Sequence, residues 1–348
     1  MATTECTVDA KARAIGPDTL VSVVIPCCNE EAVLPELYRR LSAVADGWGA
    51  PYEVILVDDG STDRTWDLLL AFHERDPRWK CVRFGRNFGH QTALRAGLHA
   101  TQGDLVAVLD ADLQDPPEIL DQFFRRWESG YDVIYGVRQQ RKEGVVLRAA
   151  YHAFYRILAF LAEMEVPLEA GDFSVMDRRV VEILKRMPER KPFLRGLRSW
   201  VGFRQCPLPY ERKHRAAGVT KYNFKRLFGL AIDGILSSSI VPLRLATLFG
   251  ALVSVVAFVG AVFTLLLRLF PGFFWGLHAV PGTASIVICV LFIGGVQLLC
   301  LGICGEYLGR IYDNVKGRPF WTVRETVGVA DPTPGSWGRP AEIDARLE

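Results

Sequence analysis

Two aspartates, Asp110 and Asp112, stand two places apart where an apolar run ends. Asp104-Leu-Val-Ala-Val-Leu109 precedes them, and Leu113-Gln114-Asp115-Pro116-Pro117 follows. Residues i and i+2 of an extended strand face one side, so both carboxylates can share one edge of a sheet. A hard cation such as Mg²⁺ takes oxygen ligands, commonly one or two from protein and others from phosphate. The pair therefore fits a metal that bridges to a diphosphate. Taken alone, D-x-D is also an ordinary acidic turn capping the next helix. It gains weight from a second acidic turn, Asp58-Asp59-Gly60-Ser61, which closes the run Glu53-Val-Ile-Leu-Val57. Asp-Gly turns are common between elements, but a carboxylate there can also accept from a nucleotide's base N–H or ribose hydroxyls. A metal neutralising the leaving diphosphate would then assist glycosyl-bond cleavage.

An alternation of strands and helices must hold these groups. Val21-Ser-Val-Val-Ile25 closes on Pro26, with Asn29-Glu30 just beyond, and a helical pattern follows over 30–44. The run 53–57 leads to a helix capped by Thr62 or Asp63 and carrying Trp66, Leu69, Leu70 and Phe72. Strands at 80–84, 104–109 and 132–135 alternate with helices at 91–100 and 117–127. Near-continuous apolar strands between amphipathic helices predict an α/β fold, a parallel sheet covered on both faces. In such sheets ligands collect beyond the carboxyl ends of the strands, where 29–30, 58–59 and 110–115 all fall. G-x-G-x-x-G and G-K-[ST] do not occur, which removes the main support for dinucleotide and P-loop readings.

The rest of the chain bounds the setting. A net charge of +2 does not argue for nucleic acid. The eight cysteines form no C-x-x-C, as expected of reduced thiols in a cytosol-facing protein, and the six histidines show no zinc spacing. The first twenty residues lack the apolar core of a signal peptide, so the N-terminal body is expected in the cytoplasm. The tail from Asp331, rich in Pro, Gly and charge, reads as loose. Runs 245–267 and 282–305 carry no charge and exceed the roughly 20 residues that cross a bilayer. They predict a two-helix transmembrane hairpin turned by Phe270-Pro-Gly-Phe-Phe-Trp275. Lys221, Lys225, Arg226 and Arg244 precede it, and Arg310, Lys316, Arg318 and Arg324 follow, against Arg268 in the turn. By the positive-inside rule both ends are cytoplasmic, giving a multi-pass protein of the inner (plasma) membrane. Segments 151–162 and 224–236 alternate basic and apolar residues, and either lie in the interface or pack on the catalytic domain. The expected organisation is a flexible N-terminus (1–19), a cytoplasmic catalytic domain (20–220), interfacial helices (221–244), two spans (245–305) and a cytoplasmic C-terminal segment (306–348).

The segments Val-Ile-Pro26-Cys-Cys-Asn29-Glu30, Val-Asp58-Asp59-Gly60-Ser61-Thr-Asp, Arg86-Asn87-Phe88-Gly89 and Asp110-Ala-Asp112-Leu-Gln114-Asp-Pro-Pro-Glu118 resemble glycosyltransferase family 2. Gly171-Asp172-Phe173-Ser-Val-Met-Asp177-Arg178, Phe193-Leu-Arg195-Gly196 and Lys221-Tyr222 narrow the resemblance to its polyprenyl-phosphate glycosyltransferases, over about residues 20–320. The resemblance implies a GT-A fold, Mg²⁺ or Mn²⁺ as cofactor, a nucleotide sugar and a polyprenyl phosphate as substrates, and a lipid membrane as partner. It leaves self-association open. It implies that Asp58 contacts the base, that Asp110 meets the ribose or donor phosphate, and that Asp112 and Gln114, with Asp110, hold the metal. Pro26, Asn29, Glu30, Asp59 and Gly89 complete the implied donor site.

Arg138, Arg141, Lys142 and Arg148 form one basic cluster, and Arg212, Lys213, Arg215 and Lys221 a second. Most such residues merely solubilise, but two or three guanidinium groups suffice to grip a phosphate. The resemblance favours Arg138, Arg141 and Arg215, with Lys221 beside them. A lipid monophosphate, with a second pKa of about 6, is already a nucleophile at neutral pH and needs no strong base. Catalysis then rests on positioning and charge neutralisation by Asp110, Asp112 and Arg215, and direct displacement inverts the anomeric carbon. Asp172 is expected to orient the sugar or an arginine, or to cap the next helix. The chain departs from the pattern at His90, where lysine or arginine is common, at His214 inside the basic run, and at Thr220 before Lys221-Tyr222. Gln122-Phe-Phe-Arg125-Arg126-Trp127 only imitates the Q-x-x-R-W of processive synthases. An acceptor that is soluble would not need the hairpin, and a membrane scaffold with a dead domain would not need the intact carboxylates. UDP-glucose leads among donors; GDP-mannose, UDP-N-acetylhexosamines and a modified UDP-arabinose stay open.

Overall fold

The computed structural model describes residues 13–138, 170–189, 193–210, 241–269 and 282–329. Arg141, Arg215, Lys221, the segments 151–162 and 224–236 and the tail from Asp331 lie outside the described residues.

One eight-stranded sheet organises the first body. Its strands are β1 (Val21–Cys27), β2 (Tyr52–Asp58), β3 (Trp79–Phe84), β4 (Leu105–Val108), β5 (Val133–Arg138), β6 (Ala170–Asp177), β7 (Gln205–Tyr210) and β8 (Val323–Val327), in the order β7-β5-β6-β4-β1-β2-β3-β8. The apolar runs of β1 and β2 are wholly buried because they sit at the centre, with helices on both faces. Val21, Val23 and Ile25 pack against α1 (Leu34–Ala45), α2 (Thr65–Arg75) and α4 (Leu120–Glu128). Val24, one register position away, faces α3 (His90–Ala100), α5 (Arg178–Arg186) and α6 (Leu194–Trp200) instead. β1 pairs in parallel with β2 and β4, as do β2 with β3 and β5 with β7.

The sheet is mostly parallel, with β6 antiparallel to both β4 and β5, and β8 antiparallel to β3. β8 also extends the catalytic body beyond residue 220, since a segment after the apolar helices returns to this sheet. Three helix starts differ from expectation. α1 begins at Leu34, not 30, because Asn29 takes a left-handed φ of 58° and Glu30 opens a turn. α2 begins at Thr65, whose N–H donates to Asp63 Oδ1. Pro117 to Ile119 form a 3₁₀ turn before α4. Residues 13–15, expected to be loose, are tied down: Arg13 donates to Asp132 Oδ1 at 2.7 Å and Ile15 N–H to Glu128 Oε1 at 2.9 Å.

The second body holds α7 (Val241–Leu269) and α8 (Thr283–Val315). Among the described residues one stretch, 292–315, is long and apolar enough to cross a membrane, and a shorter apolar helical stretch covers 246–260. Their surfaces are apolar and uncovered, with Phe258 and Leu298 each 71% exposed.

α3 lies so close to the sheet that a Cβ on Gly97 would sit 2.3 Å from Val24 Cγ1 and 3.3 Å from Val57 Cγ2. Valine is stiff at χ1, so the helix would have to lift. Gly97→Ala is expected to cost about 1–3 kcal/mol of stability through overpacking, despite a helix-propensity gain of about 1 kcal/mol. A thermal unfolding midpoint equal to or above that of the native chain would refute this contact.

Further along α3, His99 meets the Trp321 ring edge-on at 5.5 Å, with Lys185 and Glu182 of α5 and Arg95 of its own helix nearby. Burial, then the Arg95 and Lys185 charges, lower its pKa from 6.5 to about 4. Folded His99 is thus neutral where unfolded His99 would take a proton. Its contribution is complete above pH 6.5 and lost as pH falls towards 4, by up to about 1.4 kcal/mol per pH unit. Stability measured between pH 6.5 and 4 should fall less steeply in His99→Gln than in the native chain; parallel slopes would remove His99 from the acid response.

Candidate active site

β1, β2 and β4 run in the same direction, so their carboxyl ends place Asn29, Asp58, Asp59 and Asp110 along one edge. The two loops that follow β1 and β2 lock onto each other. Asn29 tolerates its left-handed backbone better than most residues, and its Oδ1 accepts from Thr62 N–H at 2.8 Å. Asn29 N–H donates to Ser61 Oγ at 3.0 Å, and Glu30 N–H to Thr65 Oγ1 at 2.9 Å. Pro26 lies within β1, opposite Val57.

Asp58 is fully buried. Its Oδ1 accepts from Ser61 N–H at 2.9 Å, whereas Oδ2 accepts no hydrogen bond and lies 3.4 Å from Arg83 Nε. Asp59 behaves differently. Both of its oxygens are taken by the next loop, from Phe88 N–H at 2.6 Å and Gly89 N–H at 2.9 Å. Burial raises its pKa, and those two donors pull it back only in part. Gly60 meets that loop directly: a Cβ there would lie 2.6 Å from the Arg86 carbonyl carbon and Asn87 N. Gly89, at φ 97°, then turns the chain into α3. Asp59 and Gly89 therefore shape the edge from behind.

Asp112 and Gln114 share the loop after β4. Asp112 is 8% exposed, and its Oδ1 accepts from Gln114 N–H at 3.1 Å. Asp110 Oδ1 is shielded from solvent and accepts no hydrogen bond; His90 Nε2 lies 3.6 Å away. Burial pushes the Asp110 carboxyl up to about 6; His90 opposes this, while Asp172, Asp115 and Asp112 add to it. Among the described residues no three His, Cys, Asp or Glu side chains converge as a metal cage. The loop instead offers a carboxylate pair and an amide, the donor set of a hard cation that completes its shell with phosphate oxygens. An underserved, shielded carboxylate oxygen fits that use.

Asp172, 4% exposed, is a hub. Arg195 of α6 donates to it twice, Nε to Oδ1 at 2.8 Å and Nη2 to Oδ2 at 2.9 Å. Gln91 Nε2 adds a bond at 3.1 Å, and His90 Nε2 lies 3.5 Å away. Burial opposes ionisation, but His90 and Arg195 outweigh it and hold the carboxyl far below the usual range. For His90 burial acts downward, and Asp172 and Asp110 still leave its pKa raised. Asp172 thus orients an arginine; the helix cap is Asp177, whose side chain accepts from Arg179 N–H.

The sequence put Asp58, Asp59, Asp110 and Asp112 at this edge, but it gave Asp172 no position there and Gln91 no role. Gln91 Oε1 accepts from Leu194 N–H at 3.0 Å, tying α3 to α6. Arg195 was visible only within Phe193-Leu-Arg195-Gly196. Arg198, 1% exposed over the Tyr135 ring, carried no signal at all. Arg138 closes β5 opposite Tyr210.

Comparison with known proteins gives the family. The profile of glycosyl transferase family 2 matches residues 22–184. The uncharacterized glycosyltransferase YkcC of Bacillus subtilis is 42% identical over 309 residues, covering 88% of this chain and 94% of its own. The SfII prophage-derived bactoprenol glucosyl transferase of Shigella flexneri is 36% identical over 307 residues, covering 88% and 98%. Glucosyl-3-phosphoglycerate synthase from Mycobacterium tuberculosis, crystallised with Mn²⁺, UDP and glucosyl-3-phosphoglycerate, is 22% identical with a TM-score of 0.43, covering 63% of this chain and 78% of its own. With the carboxylates of its strand ends gathered on one sheet edge and close relatives matched along nearly their whole length, the chain belongs to glycosyl transferase family 2 and is a glycosyltransferase.

Proposed function

We propose that this enzyme transfers glucose from UDP-glucose to a polyprenyl phosphate at the cytoplasmic face of the membrane, with inversion and with Mg²⁺ or Mn²⁺. The observation that carries this reading is the carboxylate edge in a chain 36% identical to a bactoprenol glucosyl transferase over nearly that protein's whole length. Asp58 would accept the base N–H, a role supported by its Oδ2 accepting no hydrogen bond within the chain. Asp110 meets the ribose or donor phosphate, and Asp112, Gln114 and Asp110 would hold the cation. That cation would supply charge neutralisation at the leaving diphosphate. Asp59 and Gly89 hold the loop that borders the donor, and Asp172 fixes Arg195, His90 and Gln91 beside Asp110.

The acceptor phosphate, gripped by Arg138, Arg141, Arg215 and Lys221, attacks the anomeric carbon with an oxygen lone pair. The new carbon–oxygen bond forms as the bond to the diphosphate breaks and its electron pair leaves with the diphosphate. A dianionic phosphate gives up no proton, so a strong base is unnecessary. The saturated Asp172 suits an orienting role better than proton abstraction.

Two features support a membrane setting. The uncovered faces of α7 and α8 demand an apolar medium: leaving a Leu or Phe in water forgoes about 1.5–3 kcal/mol each. β7 and β8 also belong to one sheet. Whatever the intervening chain crosses, it must cross an even number of times, which favours a hairpin over a single span. Basic residues on both outer flanks support a catalytic body on the inner side.

Labelled transfer from UDP-glucose to undecaprenyl phosphate, with and without Mg²⁺, tests the reaction; absence of any glycolipid with every sugar nucleotide tried would end this reading. Asp112→Asn is expected to keep its fold in detergent and to lose at least about a hundredfold in kcat. Near-native turnover at saturating Mg²⁺ would take Asp112 out of the ligand set. For topology, Gly276→Cys in a background without native thiols should label from outside intact cells, while a reporter after Glu348 stays cytoplasmic. Labelling only after the membrane is opened would defeat the hairpin.

A further inference from the structure

The loop bearing Asp110, Asp112 and Gln114 is fixed from β7, the outermost strand on that side of the sheet. Tyr210, at the end of β7, donates its hydroxyl to Asp115 Oδ1, and Asp115 is 1% exposed. The Tyr210 ring has little freedom. It lies on bare backbone at Gly136 of β5, where a Cβ would sit 2.7 Å from Tyr210 Cε1. Phe173 of β6 meets it edge-on at 5.6 Å and is itself held by Phe123 at 4.7 Å. A ring pinned between Gly136 and Phe173 aims its hydroxyl at one place. The loop it reaches is strained, because Leu113 takes a left-handed φ of 57°, a conformation costing a residue with a Cβ roughly 1–2 kcal/mol. That cost must be offset by bonds from outside the turn.

We propose that Tyr210 is a positioning residue for the cation and diphosphate site. Through Asp115 it holds the 110–115 loop in the turn that brings Asp112 and Gln114 to the sheet edge. The inference rests on the metal reading above and extends it to a residue that makes no contact with the donor. Removing the hydroxyl takes one donor from the buried Asp115 carboxylate and cuts the tie between β7 and the loop, which favours relaxation of the loop over retention of the strained turn. Adding a methyl at Gly136 displaces the same ring with its hydroxyl intact, so two unlike changes should give one result.

The test is an EPR titration of Mn²⁺ in the presence of UDP on the full chain in detergent, with thermal unfolding in parallel. Tyr210→Phe and Gly136→Ala should each weaken Mn²⁺ binding roughly tenfold, the scale of lost outer-shell support. Unfolding midpoints should stay within a few degrees of native, and the KM for polyprenyl phosphate within about twofold. Native Mn²⁺ affinity in Tyr210→Phe overturns the inference and leaves the metal reading standing. Weakened binding that merely tracks a collapsed thermal transition also overturns it, reducing Tyr210 to packing. Failure of the native chain itself to bind Mn²⁺ with UDP would instead sink the metal reading, and this inference with it.

Discussion

Carboxylates taken out of water must be met by hydrogen-bond donors or by cations, and this sheet edge gathers six: Asp58, Asp59, Asp110, Asp112, Asp115 and Asp172. Like charges this close would raise one another's pKa and weaken the fold if left alone. The chain meets the demand piecemeal. Asp59 takes two backbone N–H groups, Asp172 takes Arg195 and Gln91, Asp115 takes Tyr210, and Asp58 takes Ser61 N–H with Arg83 nearby. Asp110 fares worst, with a shielded oxygen that accepts nothing and a carboxyl raised to about 6. The helices and loops around the edge are arranged largely to deliver these donors, and the negative charge that they leave uncompensated is what a cation would recognise.

Much of this was legible because it depends on short-range pattern. Val21 to Ile25, 53–57 and 104–109 show as strands from their apolar continuity, and the polar groups closing them mark the ligand edge. What stayed hidden depends on distant pairing. Ala170–Asp177 carries Gly, Asp and Ser and lacks the apolar run of a central strand, yet β6 is held between β4 and β5 by antiparallel bonds on both sides. The first two helix starts were misplaced because the chain before them is held in turns: Asn29 bridges to Thr62, and Asp63 accepts from both Glu31 N–H and Thr65 N–H. Asp59 illustrates the same limit at the site: its residue type suggested ligand binding, and only geometry shows both oxygens consumed by Phe88 and Gly89.

His90 faces two of these acids. It stands where the resembling sequences often have lysine or arginine, and it lies within 3.6 Å of both Asp110 and Asp172. A shorter, flatter base in that place still answers the two acids but adds less permanent charge than lysine or arginine would. The departure therefore keeps a basic group facing both acids.

β8 bears on how the protein is made. It completes the sheet by pairing with β3, Cys81 opposite Val327 and Arg83 opposite Glu325. The ribosome releases β3 early, and its outer edge then stays open while both apolar helices are synthesised. An open edge is a template for pairing with a foreign strand. Closure of the catalytic sheet on this side thus has to wait until both hydrophobic helices have been made.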